Sequence, residues 1–487
     1  MAKKIIFTLL GIVVVLTLIT VWPIMALQRN VKSYLSLNLN HSEDQQLITN
    51  TAEKIIKNYE KINKKFKKIF LADFAEDLSI ILPHFLTEKN LTYLVILQNS
   101  DELRATGGFM GSYFFLEFSH GMWNLTEVQD IYTMAGQQTQ FPNSPQGHDL
   151  YLSEGKGLSI QDANWWPEVA ISAQHILELW QEIAEQSPYV DQERDIGGIV
   201  FVNLNFIENL LEQIGPIQLT DYDQVVDAQN FAQLARADRL DFFPGSREKA
   251  NFLNHSKVAL ANRLSQLSSQ EYLVLMKVVL ENLENKNIQL YSQEQNLEQI
   301  WQKHRFAGDM IRNNLDSFYF YSVESNVGIN KANRLVDREF HFYQNDGQIE
   351  QIQIKFTNHN QKPATINTNP NLKTANHLSY INYQRLYFAP DTKIKQVMSI
   401  DQEEQKTPLA FSTQPYFNQN NQEFLELSLL LVVPEQSQVS LIIELESDNN
   451  YQNLEIQKQA GVKQIPIYIY QNQQLVDSWT LTRDQLE

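Results

Sequence analysis

Side chains suited to holding an anion are concentrated in one short segment, QNSDELRATGG, which runs from Gln98 to Gly108. Arg104 carries paired N–H donors that match phosphate oxygens, and Asp101 is a candidate ligand for Mg²⁺. Thr106 adds a hydroxyl group, and the two closing glycines can present backbone N–H groups to an anion. The segment lacks the lysine and spacing of a P-loop and the G-x-G-x-x-G fingerprint, so it predicts no nucleotide site. The alternative is a tight strand connection in which Arg104 pairs internally with Asp101 or Glu102.

A second group of arginines lies in the segment LARADRLDFFPGSREK. Arg236, Arg239 and Arg247 are candidate phosphate ligands, and Asp241 is a second candidate for holding Mg²⁺. The alternative is a patch of ion pairs in which Asp238 and Asp241 neutralise the arginines. Convergence of these arginines with the first segment at one pocket would favour binding.

Two tryptophans lie beside polar residues in SIQDANWWPEV. Asp162 and Trp165 are candidate ligand contacts, because an indole next to a carboxylate can stack on a sugar or on a lipid-linked glycan. The alternative is that the tryptophans anchor the core and that Asp162 caps a helix. Ser112 lacks a G-x-S-x-G context, and the histidines lack H-E-x-x-H or paired spacing, so neither a serine nucleophile nor a zinc site is predicted.

The elements around these segments predict an α/β domain, with a mixed sheet and flanking helices, over residues 71–333. Apolar runs on both sides of the first segment, starting at Leu91 and Phe109, are typical of buried strands. Another buried strand is predicted from Asp195 to Asn203. The last strand of this domain is predicted at residues 317–323.

From residue 334 the sequence changes to short apolar runs separated by Asn-rich and Gln-rich turns. Asn345-Asp346-Gly347 between two such runs is a strong β-hairpin signal. Residues 334–487 are therefore predicted to form a C-terminal all-β sandwich, similar in architecture to immunoglobulin or fibronectin domains.

The N-terminal residues predict a membrane anchor. Residues 5–27 form an uncharged run of 23 residues, which as a helix would be ~34 Å long and exceed the ~30 Å hydrocarbon core of a bilayer. Residues 1–28 are thus predicted to be a cytoplasmic tip and a single transmembrane helix, without the cleavage site of a signal peptide. The bulk of the chain is then extracytoplasmic, and the protein is located in the cell membrane.

Residues 29–70 are predicted to form a basic helical stalk, with seven lysines between residues 51 and 70. The stalk either contacts an anionic lipid or wall surface through these lysines or docks on the body through its apolar seam. Both possibilities remain open from the sequence.

Composition excludes several classes of protein. The chain has no cysteine among 487 residues, which excludes disulfide scaffolds, thiolate zinc sites and cysteine nucleophiles and fits an exported bacterial protein. Its formal net charge is −18, which argues against nucleic acid as a partner of the extracytoplasmic part.

Four blocks of the sequence resemble a bacterial family, domain-of-unknown-function family 4012. They are ILQNSDELRATGGFMGSY, QDANWWPEVAISA, GGIVFVNLNFIENLLEQIGPI and ESNVGINKANR. The resemblance extends over nearly the whole region after the anchor, but the family carries no assigned activity.

A more distant resemblance is to LytR-CpsA-Psr proteins, which transfer glycopolymers from polyprenyl pyrophosphate lipids to peptidoglycan. It implies that the strand running into Asp101 and Arg104, together with Arg236, Arg239 and Arg247, would hold pyrophosphate and Mg²⁺. The usual arginine-aspartate-threonine motif of those proteins is replaced here by residues 105–108, ATGG.

The leading hypothesis is an anchored cell-envelope protein that binds a phosphate-bearing glycan or a polyprenyl pyrophosphate carrier. If it is an enzyme, it is expected to be a glycopolymer phosphotransferase, with Mg²⁺ as its cofactor. The competing hypothesis is a noncatalytic envelope scaffold or adhesion protein, with the β-sandwich as its interaction surface.

Overall fold

The structure is a computed structural model, and the residues that it describes are 77, 80, 81, 84, 85, 90–119, 122–188, 190, 194–219, 224–236, 247–345, 347–361, 378–446 and 453–486. The transmembrane helix and the basic stalk predicted for residues 1–70 lie outside this set. Within it, every helix is too short or too polar to cross a bilayer.

The first part of the chain forms a mixed sheet of six strands in the order β3-β2-β1-β5-β8, with β4 paired to β2. The strands of this part, which include a separate β6-β7 pair, are β1 (Leu91–Asn99), β2 (Phe109–Ser119), β3 (Met122–Leu125), β4 (Gln129–Asp130), β5 (Ile196–Asn203), β6 (Ile217–Leu219), β7 (Gln224–Val226) and β8 (Ile288–Ser292). Strand β1 runs parallel to β5 and antiparallel to β2. The predicted buried strands on both sides of the first segment are confirmed.

Both faces of this sheet are covered, which explains the continuous apolar run in β1. Tyr93 and Val95 belong to one buried cluster, together with residues of the helices that follow β5. Leu94 and Ile96 belong to a second cluster on the opposite face. The helices that flank the sheet or connect its strands are α1 (Ile131–Ala135), α2 (Gln146–His148), α3 (Val169–Gln186), α4 (Leu204–Ile214), α5 (Phe231–Arg236), α6 (Arg247–Leu264), α7 (Ser269–Glu284) and α8 (Gln295–Lys303).

The rest of the described chain is rich in β-structure and forms two sheets. One has seven strands in the order β14-β13-β17-β11-β10-β19-β20, and the other has five in the order β15-β16-β12-β9-β18. Side chains from both sheets meet in one hydrophobic cluster, so the sheets pack face to face. The strands are β9 (Ser317–Asn326), β10 (Val336–Asn345), β11 (Gln348–Asn358), β12 (Tyr380–Phe388), β13 (Lys393–Asp401), β14 (Lys406–Pro408), β15 (Ser412–Phe417), β16 (Glu423–Val433), β17 (Ser437–Glu446), β18 (Asn453–Gln457), β19 (Ile465–Gln471) and β20 (Gln474–Leu481).

The β-hairpin predicted at Asn345 is confirmed, because β10 and β11 pair antiparallel up to Asn345 opposite Gln348. Strand β9, which the sequence groups with the first domain, instead hydrogen-bonds to β12 and β18 of the five-stranded sheet. All its residues are buried. One of its faces, with Phe320, lies in the cluster between the sheets, and the other, with Tyr321, packs near Ala105. The five-stranded sheet therefore lies between the seven-stranded sheet and the first part of the chain.

Candidate functional site

The segment Gln98–Gly108, named here the motif loop, connects the end of β1 to the start of β2. It folds back on itself, since the Phe109 N–H donates to the Glu102 carbonyl at 2.8 Å and the Gly107 N–H donates to the Arg104 carbonyl at 2.9 Å. Gly108 has a φ of +155°, and a Cβ there would lie 2.5 Å from the Asn99 carbonyl. Glycine is therefore required for this close approach, and the Gly107 N–H is used inside the loop.

Arg104 lies inside the protein, with 1% of its surface exposed. Its Nη1 donates to the carbonyl of Asn326 at 2.7 Å and to that of Leu103 at 3.3 Å. Its Nη2 donates to Glu102 Oε1 at 2.9 Å and lies 3.6 Å from Asp162 Oδ1. Burial raises the pKa of Glu102, and the Arg104 charge opposes that rise. The guanidinium group is thus held by two carboxylates and two backbone carbonyls.

Thr106 is also buried and accepts two hydrogen bonds through its hydroxyl oxygen. Gln98 Nε2 donates to it at 2.5 Å, and Asn164 Nδ2 donates to it at 2.9 Å. The same Asn164 nitrogen lies 2.9 Å from the Gly108 carbonyl, to which it also donates. Asn164, in the segment that contains the tryptophan pair, therefore fixes the motif loop from outside.

Trp165 is a buried anchor between the two parts of the protein. Its ring stacks on Tyr383 of the five-stranded sheet, with centroids 5.4 Å apart, and packs edge-on against His148 at 5.2 Å. The guanidinium carbon of Arg385 lies 4.7 Å from the Trp165 ring centroid, and Arg385 Nη2 donates to the Trp165 carbonyl at 2.7 Å. These contacts match the core alternative for Trp165, in which the indole anchors the interior.

His148 is a buried polar residue that the sequence did not single out. It is 1% exposed, and neither ring nitrogen has a hydrogen-bond partner. Burial lowers its pKa, which favours the neutral imidazole, while Asp162 opposes this effect. Its position beside Trp165 is set by nonlocal packing, and no local sequence signal reveals it.

The second part of the protein packs against the first and closes over the motif loop, and the whole contact between the two parts is named here the joint. The Asn326 N–H donates to the Leu103 carbonyl at 2.9 Å, and the Leu103 N–H donates to Asn333 Oδ1 at 3.1 Å. Gln459 Nε2 donates to the Arg104 carbonyl at 3.1 Å. At Gly461 a Cβ would lie 2.1 Å from the Gly107 oxygen. Two backbones therefore meet here at a distance that only glycine permits.

The joint contains a buried ion pair near the C-terminal residues. Lys286 Nζ lies 2.8 Å from Asp484 Oδ2. The Lys458 N–H donates to the other oxygen of Asp484 at 2.8 Å, and Lys458 Nζ donates to the Val462 carbonyl at 2.6 Å. Burial, reinforced by the Lys286 charge, lowers the pKa of Lys458 to about 7.

Glu168, at the N-terminus of α3, is a buried carboxyl group at the same joint. It is 0% exposed, and its Oε2 accepts the Gln419 N–H at 2.9 Å. Burial raises the pKa of Glu168 to about 8, and the nearby Asp309 adds to the rise. A neutral carboxylic acid is therefore the favoured form at neutral pH.

The structure places the remaining predicted residues as follows. Asp101 is buried, and its N–H lies 3.2 Å from Asn99 Oδ1, to which it donates. Arg236 ends α5 and Arg247 begins α6, and only their backbones are described. Arg239 and Asp241 lie outside the described residues, as does Asp238. In the portion of the chain that is described, no group of three or more His, Asp or Glu side chains could hold a metal ion.

Four predicted residues meet around the motif loop, namely Arg104, Thr106, Asp162 and Trp165. Asp162 reaches Arg104, and Asn164 links the segment that carries Trp165 to Thr106. The convergence of Arg236, Arg239 and Arg247 on this place stays a prediction.

An open groove of about 420 Å³ lies elsewhere, along α3 and the edge of the first sheet. None of the predicted site residues whose side chains the structure describes lines it. Its lining includes Gln174, Trp180, Gln181, Arg194, Tyr291 and Gln293.

Comparisons with known proteins identify a family for part of the chain. Residues 88–239 match a family described as "Protein of unknown function (DUF4012)". This stretch includes the motif loop and the tryptophan pair, so the predicted family is confirmed over residues 88–239, whereas the fourth block, at residues 324–334, lies outside the match. No curated protein matches the chain.

Two solved structures show weak similarity. The Lin1025 protein from Listeria innocua is 13% identical, with a TM-score of 0.23 over 45% of this chain and 78% of that chain. A fragment of Lmo1026 from Listeria monocytogenes is 9% identical, with a TM-score of 0.21 over 45% of this chain and 77% of that chain. Similarity this low does not indicate a shared fold.

Proposed function

We propose that this chain, whose residues 88–239 belong to the DUF4012 family, is a membrane-anchored, extracytoplasmic protein of the cell envelope that acts as a noncatalytic interaction protein. In this proposal the mixed α/β part and a C-terminal β-sandwich form one rigid body. The uncharged run at residues 5–27 and the absence of cysteine support the anchor and the location outside the cytoplasm.

The noncatalytic role is supported by one observation, namely that the Arg104 guanidinium group is buried and hydrogen-bonded to protein groups. A phosphate or pyrophosphate group would have to replace Glu102 and the Asn326 carbonyl as partners of this buried guanidinium group. Breaking a buried ion pair by removing one partner typically costs about 3–5 kcal/mol. The guanidinium group that a phosphate would need is therefore already occupied by contacts that hold the joint together.

A glycopolymer phosphotransferase is the second candidate. Two observations support it. Asp162 lies 3.6 Å from Arg104, and the side chains of Glu102 and Asp162 are 13% and 12% exposed, so both side chains reach the protein surface. In that role Arg104 would bind pyrophosphate after its carboxylate partners moved, with Mg²⁺ held by aspartates. The ligand would then be an anionic glycan or a lipid-linked carrier.

Binding and turnover of a polyprenyl pyrophosphate by the full chain in lipid nanodiscs separate the two candidates. For the noncatalytic protein we expect no Mg²⁺-dependent binding, and no release of polyprenyl phosphate when a glycan acceptor with a free hydroxyl group is added. Arg104→Lys should lower the unfolding temperature, because an ammonium cannot serve all four acceptors. Lys156→Ala, at an exposed side chain, is the matched control. Saturable Mg²⁺-dependent turnover that Arg104→Lys abolishes would reject the proposal.

The location can be tested with one introduced thiol, because the chain has no cysteine of its own. Lys156→Cys should react with a membrane-impermeant maleimide on intact cells, since the Lys156 side chain is exposed. Ala2→Cys, in the predicted cytoplasmic tip, should react only after the cells are lysed. The reverse pattern of labelling would contradict the proposed orientation.

A further inference from the structure

An aromatic surface lies on the outer side of the seven-stranded sheet, away from the motif loop. His341 and Tyr343 of β10 stand directly opposite Tyr468 and Tyr470 of the parallel neighbour β19. The four side chains are named here the tyrosine face. Their ring centroids are 4.7 Å apart in both cross-strand pairs, with interplanar angles of 16° and 14°.

The tyrosine face is on the solvent side of the sheet. Its four residues are partly exposed, whereas Phe340, Phe342 and Ile467, which alternate with them along the strands, are buried in the cluster between the two sheets. The four rings therefore lie outside the hydrophobic core and are not needed to fill it.

One side of the tyrosine face is bordered by hydrogen-bonding groups. The Tyr343 hydroxyl donates to Gln353 Oε1 at 3.0 Å, and Gln353 Nε2 donates to Ser440 Oγ at 2.9 Å. On the other side, Tyr468 pairs with Ser478 in the edge strand β20. Ser478 is exposed and its side chain is short, so it leaves the outer side of the Tyr468 ring accessible.

The charges around the tyrosine face cancel. Glu339 Oε1 lies 3.5 Å from Lys355 Nζ, and Glu339 Oε2 lies 3.3 Å from His341 Nε2. Burial lowers the pKa of His341, although Glu339 opposes the change, so the ring is neutral at neutral pH. In a chain with a net charge of −18, a polyanion would be repelled and an uncharged ligand would not.

These features match the chemistry of a neutral sugar chain. A pyranose ring presents C–H groups on its faces, which pack on the apolar body of a tyrosine, and hydroxyl groups at its edge, which exchange hydrogen bonds with phenol and amide groups. Tyrosine provides such contact area with little loss of side-chain freedom. We infer that the tyrosine face is a binding site for a neutral pyranose polysaccharide, with Tyr468 as the main stacking ring.

This inference rests on the proposed function, because it assigns a ligand to the interaction part of an envelope protein. The inference and the proposed function can be rejected independently of each other. Turnover of a pyrophosphate carrier would reject the noncatalytic role and leave glycan binding at the tyrosine face intact. Absence of glycan binding would reject the inference and leave the noncatalytic role intact.

Affinity electrophoresis of the detergent-solubilised full chain tests the inference, with hydroxyethyl cellulose as the neutral probe and polygalacturonate as the anionic probe. We expect retardation by the neutral polymer only. Tyr468→Ala should weaken binding about tenfold or more, as is typical of a central aromatic contact. Tyr468→Phe should bind nearly as the wild type, and Phe417→Ala, an exposed aromatic residue on the other sheet, should not change binding.

Ser478→Leu provides a variant that leaves the core untouched. The larger side chain would cover the Tyr468 ring from an exposed edge-strand position, so we expect it to abolish retardation without changing the unfolding temperature. The inference is rejected if the wild type is not retarded by the neutral polymer, if only the anionic polymer retards it, or if Tyr468→Ala and Ser478→Leu both bind as the wild type does.

Discussion

Replacing Glu168 by glutamine tests whether the carboxyl group at the joint keeps its proton in the folded protein. The pKa of Glu168 is raised from 4.5 to about 8, first by burial and then by nearby carboxylates. Since the folded pKa is the higher one, the stabilising effect of this proton is fully present below about pH 4.5 and is lost as the pH rises toward 8. Glutamine has nearly the same shape but does not ionise in either state.

The expected magnitude follows from this pKa difference. Each pKa unit corresponds to about 1.4 kcal/mol, so the whole window corresponds to roughly 5 kcal/mol of unfolding free energy. This is an upper value, because Asp309 and Glu298, whose pKa values burial also raises, are coupled to Glu168. The stability of Glu168→Gln relative to the wild type should therefore rise with pH, whatever constant offset the new amide introduces.

The measurement is urea unfolding of the detergent-solubilised full chain, followed by tryptophan fluorescence at several pH values between about 5 and about 8. Glu212→Gln, at an exposed position on α4, is the matched control and should show no pH-dependent difference from the wild type. If the difference in unfolding free energy between Glu168→Gln and the wild type is the same at all pH values, the carboxyl group does not keep its proton and the reasoning is wrong.

Three further substitutions test the packing of the joint by thermal unfolding of the full chain. Gly461→Ala should destabilise the protein by more than about 2 kcal/mol, because its Cβ would collide with a backbone oxygen, whereas Gly155→Ala, at nearly the same φ but with open space around it, should lose only about 1 kcal/mol; equal losses would contradict this. Thr106→Val should lose about 2–4 kcal/mol, because two buried amide groups lose their acceptor. Thr106→Ser keeps the hydroxyl group and should lose only about 1 kcal/mol, for the buried methyl group; similar losses in both variants would show that the hydroxyl is unimportant. Asp484→Asn should lose about 3–5 kcal/mol, because Lys286 is left buried without its carboxylate. An unchanged unfolding temperature would show that the pair does not stabilise the joint.

Local patterns predicted much of the first part of the fold. The apolar runs at Leu91–Asn99 and Ile196–Asn203 are buried strands, and Asn345 begins a β-hairpin turn as expected. A mixed α/β part followed by a β-rich part is confirmed. Alternation of apolar and polar residues along a strand indicates burial of one face, and a continuous apolar run indicates burial of both faces. Both patterns are local, so the sequence alone reveals them.

The sequence could not assign β9 to its sheet, because a strand buried on both faces looks the same in either part. Its partners, β12 and β18, come from segments that follow it by many residues. Pairing of this kind depends on nonlocal contacts, which no local pattern reports.

The sequence identified the motif loop but left two possibilities for Arg104. The sequence neighbours of Arg104, which include two glycines, a threonine and two carboxylates, fit both an arginine that binds phosphate beside Mg²⁺ and an arginine that holds a buried joint. The difference lies in Asn326, which is far from Arg104 in the chain and occupies its Nη1. Arg385, His148 and Glu168 were missed for the same reason.

The joint also determines when, during synthesis, the motif loop can be covered. Gln459, which closes over the Arg104 carbonyl, is 355 residues away from it in the chain, and Asp484 supplies the charge that Lys286 requires. Because a chain is synthesised from its N-terminus, the motif loop is covered only after Gln459 and its neighbours have been made. A chain interrupted before β18 would leave the edge of β9 without its parallel partner. The covering of the motif loop thus depends on side chains that are synthesised long after the loop itself.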